Sequence, residues 1–289
     1  MNLILFQSMM AAAALGAGLA LPVSAQSSSP AFSASPEGSR AGKTAKMPVY
    51  PIPQKMTRSG GSVTVPALKL LGARDEPTVN ALKSMFSLAP NGLPVQMTII
   101  KGSKKPAGNV PRKAGAYSLS VTPQGIRMTG YDDEGLFYAA QTLLQLAEKT
   151  SSGVTVPEVE VLDWPDVPFR GTIEGFYGLP WRQEGRISQF KFYGKYKMNT
   201  YIYGPKDDVF HGFSKRWREP YPADMAKDLK ELVKVAKQNK VNFVWAVHPG
   251  ADIHWGEADR KAAVKKFEMM YDLGFRSFAV FFDDIGGEG

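Results

Sequence analysis

Short apolar runs alternate with helical patterns over the second half of the chain. The apolar runs cover residues 170–174, 199–203, 241–247 and 277–282, and apolar residues at helical spacing lie between them at 186–196, 225–236 and 258–273. Uninterrupted apolar runs are typical of strands buried on both faces, and strands that alternate with helices form parallel sheets. The pattern therefore predicts a parallel α/β sheet built from four consecutive βα units.

The four units have the size of the repeat in an eightfold βα barrel, which is about 30 residues per unit. Half of such a barrel leaves two sheet edges and an open interior, which soluble proteins avoid. We therefore predict that residues 166–289 are the N-terminal half of a (β/α)8 TIM barrel in a truncated chain. The alternative is an open, four-stranded doubly wound sheet that is complete as it stands.

Residues 47–165 have a different pattern, in which short apolar runs are separated by turn residues. Runs that predict strands cover 62–71, 95–101, 117–121 and 126–131. Apolar residues at helical spacing then follow from Leu136 to Ala147, with Asp132 or Asp133 as the N-cap. This predicts a small α+β domain in which one amphipathic helix covers a sheet. The domain contains no histidine and no glycine-rich phosphate loop, so its predicted role is packing or positioning.

The N-terminal segment has the pattern of a secretory signal peptide. Residues 1–21 carry no charged side chain, and Val23-Ser24-Ala25 is a small-x-small cleavage site. The apolar run is shorter than the ~20 residues that a membrane span needs, so we expect no stable membrane span. We predict a signal peptide over 1–25 with cleavage near Ala25, then a flexible linker over 26–46, in a secreted or periplasmic protein. An anchor helix is the alternative.

Composition and charge narrow the possible chemistry. The chain has no Cys, which excludes disulfides, zinc fingers and thiol nucleophiles. The net charge is +8, but Lys and Arg are spread along the chain rather than clustered with aromatic residues, so we predict no nucleic-acid partner. His211, His248 and His254 lack metal-ligand spacing. We predict that they are histidines at the rim of the fold, and we expect neither a metal nor a cofactor.

Candidate chemistry concentrates where the predicted strands end. Ligands of parallel α/β folds bind at the carboxyl ends of the strands, and the fourth strand runs directly into Asp283 and Asp284. Burial and the neighbouring charge would raise the pKa of one carboxyl group and leave the other ionised, which suits an acid and an anionic stabiliser. The alternative is an Asp that caps a following helix.

The adjacency of the two carboxylates restricts the mechanism. Glycosidases that use two carboxylates place them on opposite sides of the scissile bond, about 5–5.5 Å or 6.5–9.5 Å apart. Neighbours in sequence lie on the same side, so they suit a reaction whose nucleophile belongs to the substrate. One carboxylate would be the acid and base, and the other would orient that internal nucleophile.

Four motifs resemble the catalytic domain of glycoside hydrolase family 84. They are 174–181 (EGFYGLPW), 198–208 (MNTYIYGPKDD), 217–222 (WREPYP) and 277–285 (SFAVFFDDI). This family contains the retaining β-N-acetylglucosaminidases that remove O-linked GlcNAc from proteins. The resemblance therefore implies a glycosidase whose partners are GlcNAc-bearing glycans or glycoproteins. The segment before the motifs resembles the N-terminal α+β domain of the family more loosely.

The resemblance also implies roles for single positions. Asp283 would hold the acetamido N–H of the substrate and direct its carbonyl oxygen to the anomeric carbon, which gives an oxazoline intermediate. Asp284 would protonate the leaving oxygen and then activate water. Gly175 would bind a sugar hydroxyl through its backbone carbonyl, and Lys206 would donate a hydrogen bond to the substrate. The family takes its other pocket residues from later strands, beyond Gly289, so we expect the chain alone to be inactive.

The residues leave other functions open. A hyaluronidase or another hexosaminidase would carry out a similar reaction on a different polymer. A carbohydrate-binding pseudoenzyme, or a basic binding module for acidic glycans, would not need both Asp283 and Asp284, which favours an enzyme. For Asp207 and Asp208 we predict a structural role, as a loop cap or as a brace for Lys206.

Overall fold

The computed structural model describes residues 2–5, 49–103, 109–212, 214–250, 253–254 and 256–282, which belong to one unit of the chain. The predicted linker at 26–46 and the predicted cleavage site near Ala25 lie outside the described residues. No helix in the described part of the chain is both long and apolar enough to cross a membrane.

The described helices and strands fall into two groups along the chain. The first group is β1 (Asn2–Leu5), β2 (Lys55–Val65), β3 (Leu68–Gly72), α1 (Glu76–Lys83), β4 (Leu93–Ile99), β5 (Tyr117–Thr122), β6 (Gly125–Gly130), α2 (Asp133–Leu146), β7 (Glu148–Thr150) and β8 (Gly153–Asp163). The second group is β9 (Gly171–Glu174), α3 (Gln183–Lys195), β10 (Thr200–Tyr203), a 3-10 helix (Lys215–Arg218), α4 (Ala223–Gln238), β11 (Asn242–Val247), α5 (Glu257–Asp272) and β12 (Ser277–Val280).

The α+β part is a mixed sheet with the strand order β2-β8-β5-β6-β4-β3, and β7 pairs with β8. The predicted amphipathic helix is confirmed as α2, whose apolar residues pack into the core of this sheet. Asp132 is its N-cap, because its side chain accepts a hydrogen bond of 2.9 Å from the Gly135 N–H. A cap of this kind satisfies a helix N–H that has no partner within the helix.

The sequence prediction misses the strands β7 and β8 of the α+β part, and two further details differ. The predicted strand at 62–71 is two strands, because β2 pairs antiparallel with β8 whereas β3 pairs in parallel with β4. Pro66 follows β2 directly and has no N–H to donate to a ladder. The second difference is α1, which has only eight residues and is too short to show a helical period.

The second half of the chain forms a parallel sheet with the order β1-β12-β11-β10-β9. The predicted alternation of strands with helices is confirmed, since α3, α4 and α5 separate successive strands. β1 lies within the predicted signal peptide and pairs in parallel with β12. The signal peptide itself stays a prediction.

All three of these helices pack on the same face of the parallel sheet. Alternate strand residues such as Tyr201, Trp245 and Phe278 share one apolar cluster with residues of α3, α4 and α5. The residues between them point to the opposite face and form a separate apolar cluster; they are Ile202, Val244, Ala246 and Ala279. The parallel sheet therefore has one helix-covered face and one face without helices among the described residues.

A buried ion pair joins the α+β part to the amino-terminal end of the parallel sheet. Lys197 Nζ donates to the Tyr117 hydroxyl at 2.9 Å and lies 3.3 Å from Asp163 Oδ2. The Tyr117 hydroxyl in turn donates to Asp163 Oδ2 at 2.9 Å. Burial lowers the pKa of Lys197 to about 8, against the opposing charge and hydrogen bond of Asp163.

Lys240 makes the corresponding contact one βα unit later. It follows α4 as Lys197 follows α3, and both lysines have a positive φ, of 55° and 60°. The Nζ of Lys240 lies 2.7 Å from Asp75 Oδ1 and 2.6 Å from Asp133 Oδ2. Burial disfavours its charge, but hydrogen bonds to the two carboxylates outweigh burial and raise the pKa of Lys240. The two lysines fix the α+β part against the amino-terminal end of the sheet.

The lowered pKa of Lys197 makes the stability of the protein depend on pH. A lysine whose pKa falls from 10.5 when unfolded to about 8 when folded binds its proton more tightly in the unfolded chain between these values. The free energy of unfolding should therefore rise between pH 7.5 and pH 9, by about 1 kcal/mol from this group. Urea unfolding of the wild type and of Lys197→Met at both pH values measures this rise. The variant should show a smaller rise than the wild type; a part remains because burial also lowers the pKa of Lys266 to about 8. An equal rise in both proteins would contradict the assignment.

Candidate active site

The carboxyl ends of β9 and β10 bring two of the predicted site residues together. Gly175 follows β9 directly and Lys206 lies three residues after β10, so parallel pairing places both at the same edge of the sheet. Asp283 and Asp284 lie outside the described residues, which end at Phe282, two residues after β12. The structure therefore places Gly175 and Lys206 and leaves the predicted positions of Asp283 and Asp284 untested.

Backbone pairing between the two chain segments continues past the ends of the strands. The Gly204 N–H donates to the Glu174 carbonyl at 3.0 Å, and the Lys206 N–H donates to the Phe176 carbonyl at 3.1 Å. Successive carbonyls of an extended chain point to opposite sides. Since the carbonyls before and after Gly175 both point towards the β10 segment, the Gly175 carbonyl points away from it. This orientation suits a carbonyl that binds a ligand.

Lys206 has a buried side chain beside an exposed aromatic ring. The residue is 7% exposed, and its Nζ lies 6.0 Å from the centre of the Tyr177 ring. A cation at this distance from a ring is attracted by the negative face of the ring. Tyr177 itself is 65% exposed. The pair presents a positive charge and an aromatic surface at the same edge as Gly175.

The loop 175–181 is anchored by Glu174, a residue for which the sequence pattern predicts no role. Glu174 is fully buried, and its Oε1 accepts from the Trp181 N–H at 2.9 Å. Arg186 of α3 donates to both carboxylate oxygens, at 2.7 Å and 2.9 Å, and the Tyr201 hydroxyl donates to Oε2. Burial alone would lower the pKa of Arg186, but the hydrogen bonds and charge of Glu174 outweigh burial and raise it.

The two aspartates after Lys206 have structural roles, as predicted. Asp207 Oδ2 accepts from the Gly178 N–H at 3.0 Å, which ties the middle of the loop 175–181 to the β10 segment. Asp208 accepts from the Phe210 N–H at 2.9 Å and from the hydroxyls of Tyr203 and Tyr221 at 2.6 Å and 2.8 Å. Both carboxylates therefore hold loops at the edge that carries the candidate site.

Two of the three histidines are not at the rim, which corrects the sequence prediction. His211 and His248 are fully buried. His211 lies in the loop after β10, and its carbonyl accepts a hydrogen bond of 3.0 Å from the His248 N–H just after β11. The His211 Nδ1 donates to the Ala246 carbonyl at 2.6 Å. Burial lowers the pKa of His211 to about 4, so its ring is neutral. His254 alone of the three is exposed.

Groups that could hold a metal ion do not form in the described part of the chain, where no three His, Asp or Glu side chains come together. A cavity of about 390 Å³ lies near the ends of β11 and β12, lined by Val247, Val280 and Phe282 among others. Val247 and Val280 belong to the helix-covered face of the sheet. Because Gly175 and Lys206 do not line this cavity, we do not assign it to the candidate site.

Two family models match the two parts of the chain. Residues 170–288 match the family described as beta-N-acetylglucosaminidase. Residues 46–164 match domain 2 of glycosyl hydrolase family 20. The boundary between the two matches falls between β8 and β9, where the α+β part gives way to the parallel sheet.

Curated relatives carry related names. Protein O-GlcNAcase of Rattus norvegicus is 40% identical over 116 residues, which is 40% of this chain and 12% of that protein. A beta-hexosaminidase of Vibrio vulnificus is 39% identical over 80 residues, or 28% of this chain and 8% of that protein. The chain thus spans a small part of the length of the curated relatives that it matches.

Solved structures of family 84 proteins match most of the chain. CpGH84B has a TM-score of 0.74 and 37% sequence identity, with 83% of this chain and 44% of that chain covered. CpGH84D has a TM-score of 0.73 and 29% identity, with 86% of this chain and 46% of that chain covered. These matches span both the α+β part and the parallel sheet. The chain is therefore similar over both of its parts to glycoside hydrolases of family 84, and its residues 170–288 match the beta-N-acetylglucosaminidase family.

Proposed function

We propose that the protein containing this chain is a retaining glycoside hydrolase that removes terminal β-linked N-acetylglucosamine, of the O-GlcNAc type, from glycans or glycoproteins. The observation that carries the proposal is the beta-N-acetylglucosaminidase match over residues 170–288, which includes Asp283 and Asp284. The loops at the carboxyl ends of β9 and β10 support it, because they form the edge that β12 also reaches.

The proposed fold is a (β/α)8 barrel of which this chain contributes the first four units. Doubly wound sheets carry helices on both faces, whereas a barrel carries them only on the outside. The packing of α3, α4 and α5 on one face favours the barrel. The other face, with Ile202, Val244 and Ala246, would then be the interior of the barrel.

The proposed reaction uses the acetamido group of the substrate as the nucleophile. Its carbonyl oxygen forms a bond to the anomeric carbon while the bond to the leaving oxygen breaks, and Asp284 transfers its proton to that oxygen. Asp283 accepts a hydrogen bond from the acetamido N–H and stabilises the positive charge of the oxazoline. Water then attacks the anomeric carbon, its proton passes to Asp284, and the ring of the oxazoline opens with net retention.

Gly175 and Lys206 are the proposed binding residues on the described side of the pocket. The Gly175 carbonyl points away from the β10 segment and would accept a hydrogen bond from a sugar hydroxyl. Lys206 would donate a hydrogen bond to the substrate from its position beside Tyr177. The signal-peptide pattern at 1–25 supports export, so we propose that the protein acts outside the cytoplasm.

A broader β-hexosaminidase activity is the second candidate, since the chain also matches a beta-hexosaminidase of Vibrio vulnificus. This activity uses the same kind of reaction and differs in the sugar that is accepted. The ratio of hydrolysis rates on matched β-GlcNAc and β-GalNAc aryl glycosides separates the two candidates. A strong preference for β-GlcNAc supports the first.

Fluorination of the acetyl group tests the nucleophile. Each fluorine withdraws electrons from the acetamido carbonyl, so its oxygen attacks the anomeric carbon more slowly. We expect kcat/KM to fall steadily from N-acetyl to N-trifluoroacetyl aryl glycosides. A flat series, or a glycosyl ester on a carboxylate detected by mass spectrometry, would mean that the protein supplies the nucleophile itself.

Asp284→Asn tests the general acid. We expect kcat/KM on an alkyl or other poor leaving group to fall by about 10²–10⁴-fold, because that oxygen leaves only when protonated. The loss on a nitrophenyl glycoside should be much smaller, since nitrophenolate leaves without a proton. Asp283→Asn is the matched control and should slow both substrates, because it acts on the nucleophile. Equal losses on both leaving groups in Asp284→Asn would contradict its role as the acid.

The length of the chain gives another expectation. This chain covers 44% of CpGH84B, and we propose that residues beyond those of this chain complete the pocket. We expect the 289-residue chain to show no hydrolysis of a nitrophenyl β-GlcNAc substrate under conditions in which the longer protein is active. Activity of the chain at the level of the longer protein would show that its own residues suffice.

A further inference from the structure

The end of the loop 175–181 is tied back to Glu174, the residue before the loop, through a single buried carboxylate. Its backbone leaves β9 after Glu174, whose carbonyl pairs with the Gly204 N–H. Further along the loop the Trp181 N–H returns to the Glu174 side chain, 2.9 Å from Oε1. Glu174 therefore holds the loop at both ends, through its backbone carbonyl at the start and through its side chain at Trp181. Gly175, the proposed sugar-binding residue, lies between these two anchors.

The carboxylate of Glu174 is itself held by residues from two other elements. Oε1 accepts from Trp181 N–H and from Arg186 Nη2, and Oε2 accepts from Arg186 Nε and from the Tyr201 hydroxyl. Bidentate pairs of this kind fix the orientation of both groups as well as their separation. The Arg186 guanidinium also lies over the Tyr203 ring, 4.9 Å from its centre, which restricts it further.

This arrangement excludes Glu174 from the chemical step. Each of its two oxygens already accepts two hydrogen bonds, and the residue is fully buried, so the carboxylate has no access to a sugar. Its position next to Gly175 instead couples α3 and β10 to the peptide that follows β9. The aromatic residues of the loop depend on the same anchor, because Trp181 contacts both Phe176 and Tyr201, with ring centres 5.5 Å and 6.2 Å apart.

We propose that Glu174 is a positioning residue, which with Arg186 and Tyr201 holds the Gly175 carbonyl where it accepts one particular sugar hydroxyl. This inference rests on the proposed function. The buried carboxylate sets the distance between the Gly175 carbonyl and the sugar, and Asp207 supports the middle of the same loop through the Gly178 N–H. Loss of the anchor would release the carbonyl without removing any group that touches the substrate.

The test measures kcat/KM of the full-length enzyme on aryl β-GlcNAc and on its 3-, 4- and 6-deoxy analogues. The wild type should lose activity on the analogue that lacks the hydroxyl bound by Gly175. In Glu174→Gln, kcat/KM on the parent substrate should fall by about 100-fold, the size expected when a binding group moves by about 1 Å. In this variant, removal of the hydroxyl bound by Gly175 should cause no further loss of kcat/KM. Removal of either of the other two hydroxyls should cause the same loss of kcat/KM as in the wild type.

Asp163→Asn is the matched control for stability. It removes another buried, hydrogen-bonded carboxylate, at the opposite end of the parallel strands, where it pairs with Lys197. The control should lower the melting temperature and keep the wild-type pattern of deoxy penalties. Kinetics are measured well below the melting temperature of every variant, so that loss of folded protein does not enter kcat/KM.

If Glu174→Gln does not fold, Tyr201→Phe tests whether Glu174 positions the Gly175 carbonyl. It removes one of the four hydrogen bonds to the carboxylate and should reduce the same deoxy penalty to a smaller extent. The proposal is overturned if the folded variants keep all three wild-type penalties, or if all three change equally. Should the wild type hydrolyse no β-GlcNAc substrate, the proposed function fails and this inference fails with it; a normal wild type with unaltered penalties in the variants rejects the inference alone.

Discussion

Parallel alignment of β9 to β12 is the constraint on which the rest of the structure depends. Each strand pairs with its neighbour in the same direction, so the carboxyl ends meet at one edge and the amino ends at the other. Residues that are far apart in the chain, such as Gly175 and Lys206, become neighbours because their strands end together. The same alignment keeps structural contacts and candidate chemistry at opposite ends of the sheet.

At the amino-terminal end of the parallel sheet, the α+β part supports the sheet. There the chain leaves α3 and α4 through Lys197 and Lys240, and each lysine pairs with acidic residues of the α+β part. Buried pairs of this kind contribute little net stability compared with an apolar contact, but they are strongly directional. They therefore fix the orientation of the α+β part on the sheet, while the apolar clusters on each side supply most of the stabilisation.

The sequence predicts the parallel sheet well because its signal is local. The expected strands at 199–203, 241–247 and 277–282 differ from β10, β11 and β12 by no more than two residues at either end. The sequence does not predict contacts that form only when separate elements pack together. Glu174 meets Arg186 because α3 returns to the end of β9, and the loop that carries His211 meets the end of β11 through the Ala246 carbonyl and the His248 N–H. The local sequence around Glu174 and around His211 does not predict these contacts.

Glu174 and the Asp283–Asp284 pair, for which we propose a chemical role, illustrate how position can decide the role of a carboxylate. Both occur where an apolar strand ends, so their local sequences look alike. Glu174 is followed by a loop that folds back, and its oxygens are occupied by Arg186, Tyr201 and Trp181. A carboxylate that accepts four hydrogen bonds is fixed in place and offers no oxygen to a substrate, which suits positioning and excludes proton transfer. An acid–base residue needs the opposite, namely an oxygen that the protein leaves for the substrate. Glu174, with all of its acceptor positions occupied, therefore has a positioning role, and the proposed chemical role falls to other carboxylates at the carboxyl ends of the strands.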